Sequence, residues 1–288
     1  TSIGWYAFSG CSSLTSIVIP DSMTSIDDYA FSDCIGLTNI DIPNSVTSIE
    51  SYAFSGCSNL TGIDIPNSVT SIGAYAFRDC IGLTSIKIPN SVTSIGTYAF
   101  SGCSGLTNID IPDSVTSIGD YSFRGCSGLE NIVIHNGVTS IGWYAFSGCS
   151  SLMSIAIPDS VTSIGSYAFQ DCSNLERVYI SDLIAWCNID FGNEYSNPLI
   201  NGAELYVNDE LVTEFILTDG VTNIGRYTFK GCSGLKNIVI PDSVTSIDDK
   251  AFQDCTALES LTIPSLYNRN LYRYFGDNFS IPTSLKSV

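Results

Sequence analysis

Apolar positions in this chain recur in a fixed frame rather than with a helical or strand period alone. From Cys57 to Asp79 the residues read C-x-x-L-T-x-I-x-I-P-x-S-V-T-S-I-G-x-Y-A-F-x-D, and the same frame opens at Cys11, Cys34, Cys80, Cys103, Cys126, Cys149 and Cys172, each 23 residues after the last. Cys232 and Cys255 repeat the interval. Self-similarity at such a period is the mark of a stacked repeat array. Within a unit, Leu60, Ile63 and Ile65 predict a short strand with its apolar side chains turned inward, and Pro66 ends it by withholding a backbone donor. Val69 and Ile72 predict a second extended piece. Gly73 then turns the chain into an expected helical turn, with Ala76 and Phe77 facing the core. The residue before each of these repeat cysteines is Gly or Asp, types that tolerate left-handed backbone.

A lone unit exposes both apolar faces and cannot fold, whereas stacking hides them and adds inter-strand hydrogen bonds. The expected object is a repeat solenoid: a right-handed coil with a parallel β-sheet on its concave face, and short strands and helical turns on the convex side. It is expected to run as one array over residues 1–288. The first and last residues fall inside repeats, so a fragment of a longer chain is expected, with targeting signals left outside it.

The frame resembles the BspA-like, or treponemal-type, leucine-rich repeat, L-x-x-I-x-I-P-x-x-V-x-x-I-G-x-x-A-F-x-x-C, over nearly the whole chain. That resemblance implies a curved solenoid on a bacterial or protozoan surface, or secreted, used in adhesion to host proteins or to other microbes, and no enzymatic activity.

Two stretches depart from the frame. Leu175 is followed by its next equivalent, Val212, after 37 residues rather than 23, which leaves 14 surplus residues and a variant turn at 172–208. Here Asp182 to Cys187 predicts a short helix with Ser181 as its N-cap, and Leu205-Tyr206-Val207 with Leu211-Val212 predict a hairpin around Asn208-Asp209-Glu210. The variant turn is expected to bulge from the coil while the sheet continues beneath it. A second variant turn, at 255–281, carries Tyr267, Tyr272, Tyr274 and Phe275.

Composition narrows the function classes. Hydrophobic residues make up 44% and charged ones 14%, which fits a packed core. No apolar run reaches the length of a membrane span. Twenty-nine acids against 11 basic residues give a formal charge of −18, a field that disfavours nucleic acid and anionic lipid. Ten of the 11 cysteines share one column and none forms C-x-x-C. Their side chains should run parallel down the stack, as buried free thiols rather than disulfides or metal ligands. The single histidine, His135, replaces the strand-ending proline and reads as a surface substitution. No P-loop, dinucleotide fingerprint, zinc-protease motif or nucleophile elbow is present, so no cofactor or metal is implied. Asp27-Asp28 and Asp248-Asp249 are expected to cap the helical turns. Asn59-Leu60-Thr61 and Asn278-Phe279-Ser280 match the glycosylation sequon at the frequency that composition gives.

The residue between the two inward isoleucines must point away from the core. Down that column run Val18, Asp41, Asp64, Lys87, Asp110, Val133, Ala156, Tyr179, Ile216, Val239 and Thr262. Asp41 beside Asp64 is unfavourable without a cation or basic partner, and Lys87 is placed to pair with Asp64 and Asp110. The candidate ligand-binding residues on the concave face are Asp41, Asp64, Lys87, Asp110, Arg177 and Tyr179. Two readings follow. One is a non-catalytic adhesion or recognition scaffold that binds, through its concave face and variant turns, a protein ligand such as a host extracellular-matrix or microbial surface protein, or a glycan. The other is a passive spacer with a solvated sheet face.

Overall fold

Each unit packs its frame residues into one core. In the turn from Cys57, the side chains of Leu60, Ile63, Ile65, Val69, Ile72, Ala76 and Phe77 are all buried, and the same columns are buried in the turns on either side. The computed structural model describes residues 1–217 and 220–263. The second variant turn therefore lies largely outside the described residues, as does the sequon at Asn278.

Two sets of parallel strands stack, both with a 23-residue offset until the variant turn, where the step is 27 residues. The Ser-Ile pairs form a nine-stranded ladder from Ser2–Ile3 to Ser163–Ile164, closed by Asp190–Phe191. The I-x-I segments form shorter sheets, such as Gly62–Asp64, Ser85–Lys87, Asn108–Ile111 and Asn131–Ile134. Register is set residue to residue, Ile63 opposite Ile86 and Ile109 opposite Ile132, so each inward column is a straight stack of like side chains. Threonine hydroxyls reinforce it, Thr61 Oγ1 donating to the Thr38 carbonyl at 3.2 Å and Thr84 Oγ1 to that of Thr61.

The expected helical turn is absent. Where Gly73 to Phe77 was to coil, Tyr75 sits at φ 59°, and its equivalents from Tyr6 to Tyr167 lie between 53° and 64°. Alternate residues therefore send their N–H groups to the next turn: Tyr52 to Ala74 O, Phe54 to Ala76 O and Gly56 to Arg78 O, at 2.7–2.9 Å. The residues between them bond back three positions within the turn. A helix would have satisfied these donors internally. The left-handed tyrosine turns half of them outward into a further inter-turn ladder, and the Gly or Asp before each column cysteine has positive φ as well.

That backbone aligns two aromatic stacks. Phe8 to Phe169 pile face to face with centroids 5.2–5.5 Å apart. Outside them Tyr6 to Tyr167 stack at 4.4–4.8 Å. The cysteine column lies beside the phenylalanines, all of it buried except the terminal Cys11, and all of it free. From Cys34 to Cys172, and again at Cys255, the column thiol donates to the phenylalanine carbonyl 26 residues back, Cys57 Sγ to Phe31 O at 3.1 Å for one. Asp27 and Asp28 cap no helix. Ser25 Oγ donates to Asp27 Oδ1, and Asp28 Oδ1 accepts the N–H of Ser51 in the next turn at 2.9 Å.

The first variant turn is built differently from the expectation. Its helix is Leu183–Cys187, and the N-cap is Asp182, whose Oδ1 accepts from Ile184 and Ala185. Ser181 instead donates to Asp159. The segment does not bulge, because Trp186, Leu199 and Leu205 are core residues. Arg177 pairs with Glu204, so four of the surplus residues lengthen the turn itself. The other ten separate Glu204 from Glu214, where a new sheet begins. Between them Glu204–Val207 folds back on Glu210–Leu211 as an antiparallel hairpin. Its two turn residues, Asn208 and Asp209, both have positive φ, the type I′ requirement. The sheet therefore stops at the hairpin instead of continuing beneath it. Side-chain contacts span the break: Trp186 Nε1 and Asn197 Nδ2 donate to the Thr228 carbonyl, and buried Lys230 contacts Glu194 at 3.3 Å and Asp254 at 2.7 Å.

Candidate ligand-binding face

The outward column of the I-x-I strands is where side chains vary while the inward ones do not. Val18, Asp41, Asp64 and Lys87 lie opposite one another on successive strands, all exposed. With Asn39, Gly62 and Ser85 the last three line an open groove of about 390 Å³. No ion pair joins Lys87 to Asp64 or Asp110, although the register permits one. Asp110 is instead 2.9 Å from His135 Nε2. His135 is thus part of the same face, beside Lys87 and Asp113 in a groove of about 530 Å³. The sequence reading missed it because the partners are 25 residues apart, one turn plus the two-residue step from column to strand end.

Beyond Asp110 the face turns apolar, through exposed Val133 and then Ala156 to Tyr179. The next residue in the column is Tyr206, not Ile216, since Glu204–Val207 and not Glu214–Ile216 pairs with Arg177–Ile180. Tyr179 and Tyr206 lie with ring centroids 5.1 Å apart and planes tilted by 33°. Tyr206 OH donates to Glu204 Oε2 at 2.8 Å. That hydrogen bond raises the Tyr206 phenol pKa, burial and the carboxylate charge add to it, and Arg177 opposes them. The two charged side chains, Arg177 and Glu204, sit on neighbouring strands in the adjoining column. The hairpin turn rises at the edge, so that Tyr179, Pro158, Ser181, Asn208 and Asp209 enclose a groove of about 300 Å³.

This arrangement can hold a partner but supplies little for chemistry. Among the described residues no three His, Cys, Asp or Glu side chains are grouped to bind a metal ion. All the thiols but that of Cys11 are buried, and burial pushes Cys57, Cys172, Cys187 and Cys232 up to about 12. Among the described residues no helix is long and apolar enough to cross a membrane.

The repeat frame matches the model of the BspA type leucine rich repeat region, in six copies over residues 1–107, 95–190 and 202–288. The chain belongs to this family. Curated proteins give no match, but solved structures do. A leucine-rich repeat protein from Bacteroides ovatus is 27% identical with a TM-score of 0.63, over all of this chain and 87% of its own. A leucine rich cell surface protein from Faecalibacterium prausnitzii is 29% identical with a TM-score of 0.57, over 95% of this chain and 75% of its own. BspA-type turns thus account for the core columns, and the matched stretch 202–288 takes in the hairpin as well.

Proposed function

We propose that this BspA-type chain is a non-catalytic recognition scaffold, displayed on a bacterial surface or secreted, that holds protein ligands against the outer face of its I-x-I strands. The observation that carries this is the Tyr179–Tyr206 pair with Arg177 and Glu204 beside it, on a face whose other half is acidic. Aromatic and arginine side chains at the centre of a patch supply most interface energy, and a field of one sign sets partner choice. The ligand that fits is a protein segment with basic residues over Asp41 and Asp64 and an apolar group on the tyrosines. The similarity to a cell surface protein supports the location.

Binding of extracellular-matrix and bacterial surface proteins to the native chain, compared with Tyr179→Ala combined with Asp64→Lys, tests this. The double variant should lose roughly tenfold or more in affinity with an unchanged Tm, since neither side chain enters the core. If no protein binds, or the variant binds as well, the strand face is not an interface. The spacer reading, which the near-identity of most turns favours, then takes its place.

A further inference from the structure

Beside the tyrosine stack lies a trough that neither the core nor the strand face explains. In the column before the cysteine, glycine and aspartate alternate through Asp33, Gly56 and Asp79, and each aspartate lies over the glycine of the following turn. A Cβ at Gly56 would stand 2.3 Å from Asp33 Oδ1, and one at Gly102 2.2 Å from Asp79 Oδ1. Then the alternation fails, and Gly102, Gly125 and Gly148 follow one another until Asp171. Around a Cβ at Gly125 nothing comes nearer than 3.9 Å. The result is an open groove of about 540 Å³, with Tyr75, Tyr98, Arg78 and Arg124 among its walls and Asp79 and Asp171 at its ends.

The arginines are out of keeping with a chain of net charge −18. Elsewhere in their column a cation is neutralised: Lys230 by Asp254 and Glu194, Arg78 by Asp79 at 3.1 Å. Arg124 has glycine in its own turn and in both neighbours where that aspartate would be. No described carboxylate lies within ion-pair distance of it. Burial raises the Tyr98 phenol pKa, Tyr121 and Tyr75 add to it, and the Arg124 charge opposes them, so guanidinium and phenol share the groove wall.

We propose that this trough binds a short acidic oligosaccharide, one carboxylate or sulfate group held by the unpaired Arg124, a second held by Arg78 in exchange for Asp79, and its hydroxyls by the row of tyrosine hydroxyls. Two turns separate the arginines, roughly 10 Å at the usual strand spacing. Guanidinium groups bind such oxyanions through paired hydrogen bonds. A sugar chain fits better than an acidic peptide for two reasons. Tyr75, Tyr98 and Tyr121 are stacked on one another at 4.4–4.6 Å, so they offer edges and hydroxyls in series and no pocket for a side chain. The floor donors are also spent, Gly102 N–H on Arg124 O and Gly125 N–H on Ser147 O, which leaves no strand edge for a peptide to join. The terminal aspartates limit the ligand to a few sugar units.

Calorimetric titration with a galacturonate tetramer, a sulfated heparin tetrasaccharide, a neutral galactose tetramer and tetraglutamate tests the assignment. One or both acidic sugars should bind, which distinguishes carboxylate from sulfate, and the neutral sugar should not. Arg124→Ser installs the residue that neighbouring turns carry, and Gly125→Asp restores the alternation and supplies the missing carboxylate. Each should weaken binding at least roughly tenfold and leave Tm unchanged. Tyr179→Ala should leave it unaffected, so failure of the strand-face reading is separable. The proposal is overturned if neither acidic sugar binds, if Arg124→Ser binds as native, or if tetraglutamate or the neutral sugar binds as tightly.

Discussion

Titrating the thiols tests the stacking argument most directly. Ten cysteines are buried and one, Cys11, is exposed. Burial is the main cause that holds Cys57, Cys172, Cys187 and Cys232 near 12 and Cys34 near 11. At pH 8 a thiol of pKa 12 is ionised to about one part in 10⁴, against about a quarter for an ordinary thiol near 8.5. A disulfide-exchange reagent should therefore find one fast thiol in the native protein and eleven after guanidinium denaturation. The same shifts set a pH dependence. A thiol whose folded pKa lies above its unfolded one stabilises the fold fully below the unfolded value, near 8.5–9, and that contribution drains away as pH rises toward 12. By pH 10 each thiol held near 12 has lost about 1.5–2 kcal/mol of it, so four together destabilise the chain by several kcal/mol. The urea midpoint should fall steeply between pH 8.5 and 10.5. Several thiols reacting at the rate of Cys11, column cysteines found bridged, or a flat midpoint would refute the reasoning.

Phe123→Ala, which empties a fully buried place between Phe100 and Phe146, should cost about 3–5 kcal/mol in urea unfolding. Trp186→Ala removes a core side chain and its hydrogen bond to Thr228. It should cost about as much, and amide exchange should show residues 220–263 opening ahead of the earlier turns. Asp209→Gly relieves a left-handed residue at φ 66° in the hairpin and should raise stability by up to about 1 kcal/mol, again read in urea.

Much of this was legible in the sequence because each column is sampled many times. A Gly or Asp that recurs before every column cysteine announces a left-handed backbone, and an invariant Leu, Ile, Val or Phe announces a core position. The tyrosine was misread for the opposite reason. A bulky residue is uncommon at positive φ, and Tyr-Ala-Phe after a glycine suggests the start of a helix. Its conformation is held by neighbouring turns, through stacking and inter-turn hydrogen bonds that no single turn reveals. At the variant turn the frame was lost, so Tyr206 was passed over for Ile216: the 27-residue offset between Arg177 and Glu204 follows from how Trp186 and Leu199 fill the core. Candidate ligand residues were placed on one face by strand alternation alone. The Asp110–His135 contact and the trough at Arg124 needed the three-dimensional register.

A chain whose turns are interchangeable can mispair by whole turns. Between Cys34 and Cys172, a turn laid against the second turn along, with one looped out, meets the same threonine, phenylalanine and cysteine partners as its proper mate. Pairing alone cannot count turns there. The irregular turn can, because Trp186, Asn197 and Lys230 each have a mate that occurs once: the Thr228 carbonyl for the first two, and Glu194 with Asp254 for the third. A slipped stack strands an indole N–H, an amide and an ammonium group in an apolar interior, each costing about 1–3 kcal/mol or more. The irregular turn thus works as a frame marker, from which the remaining turns are counted into place.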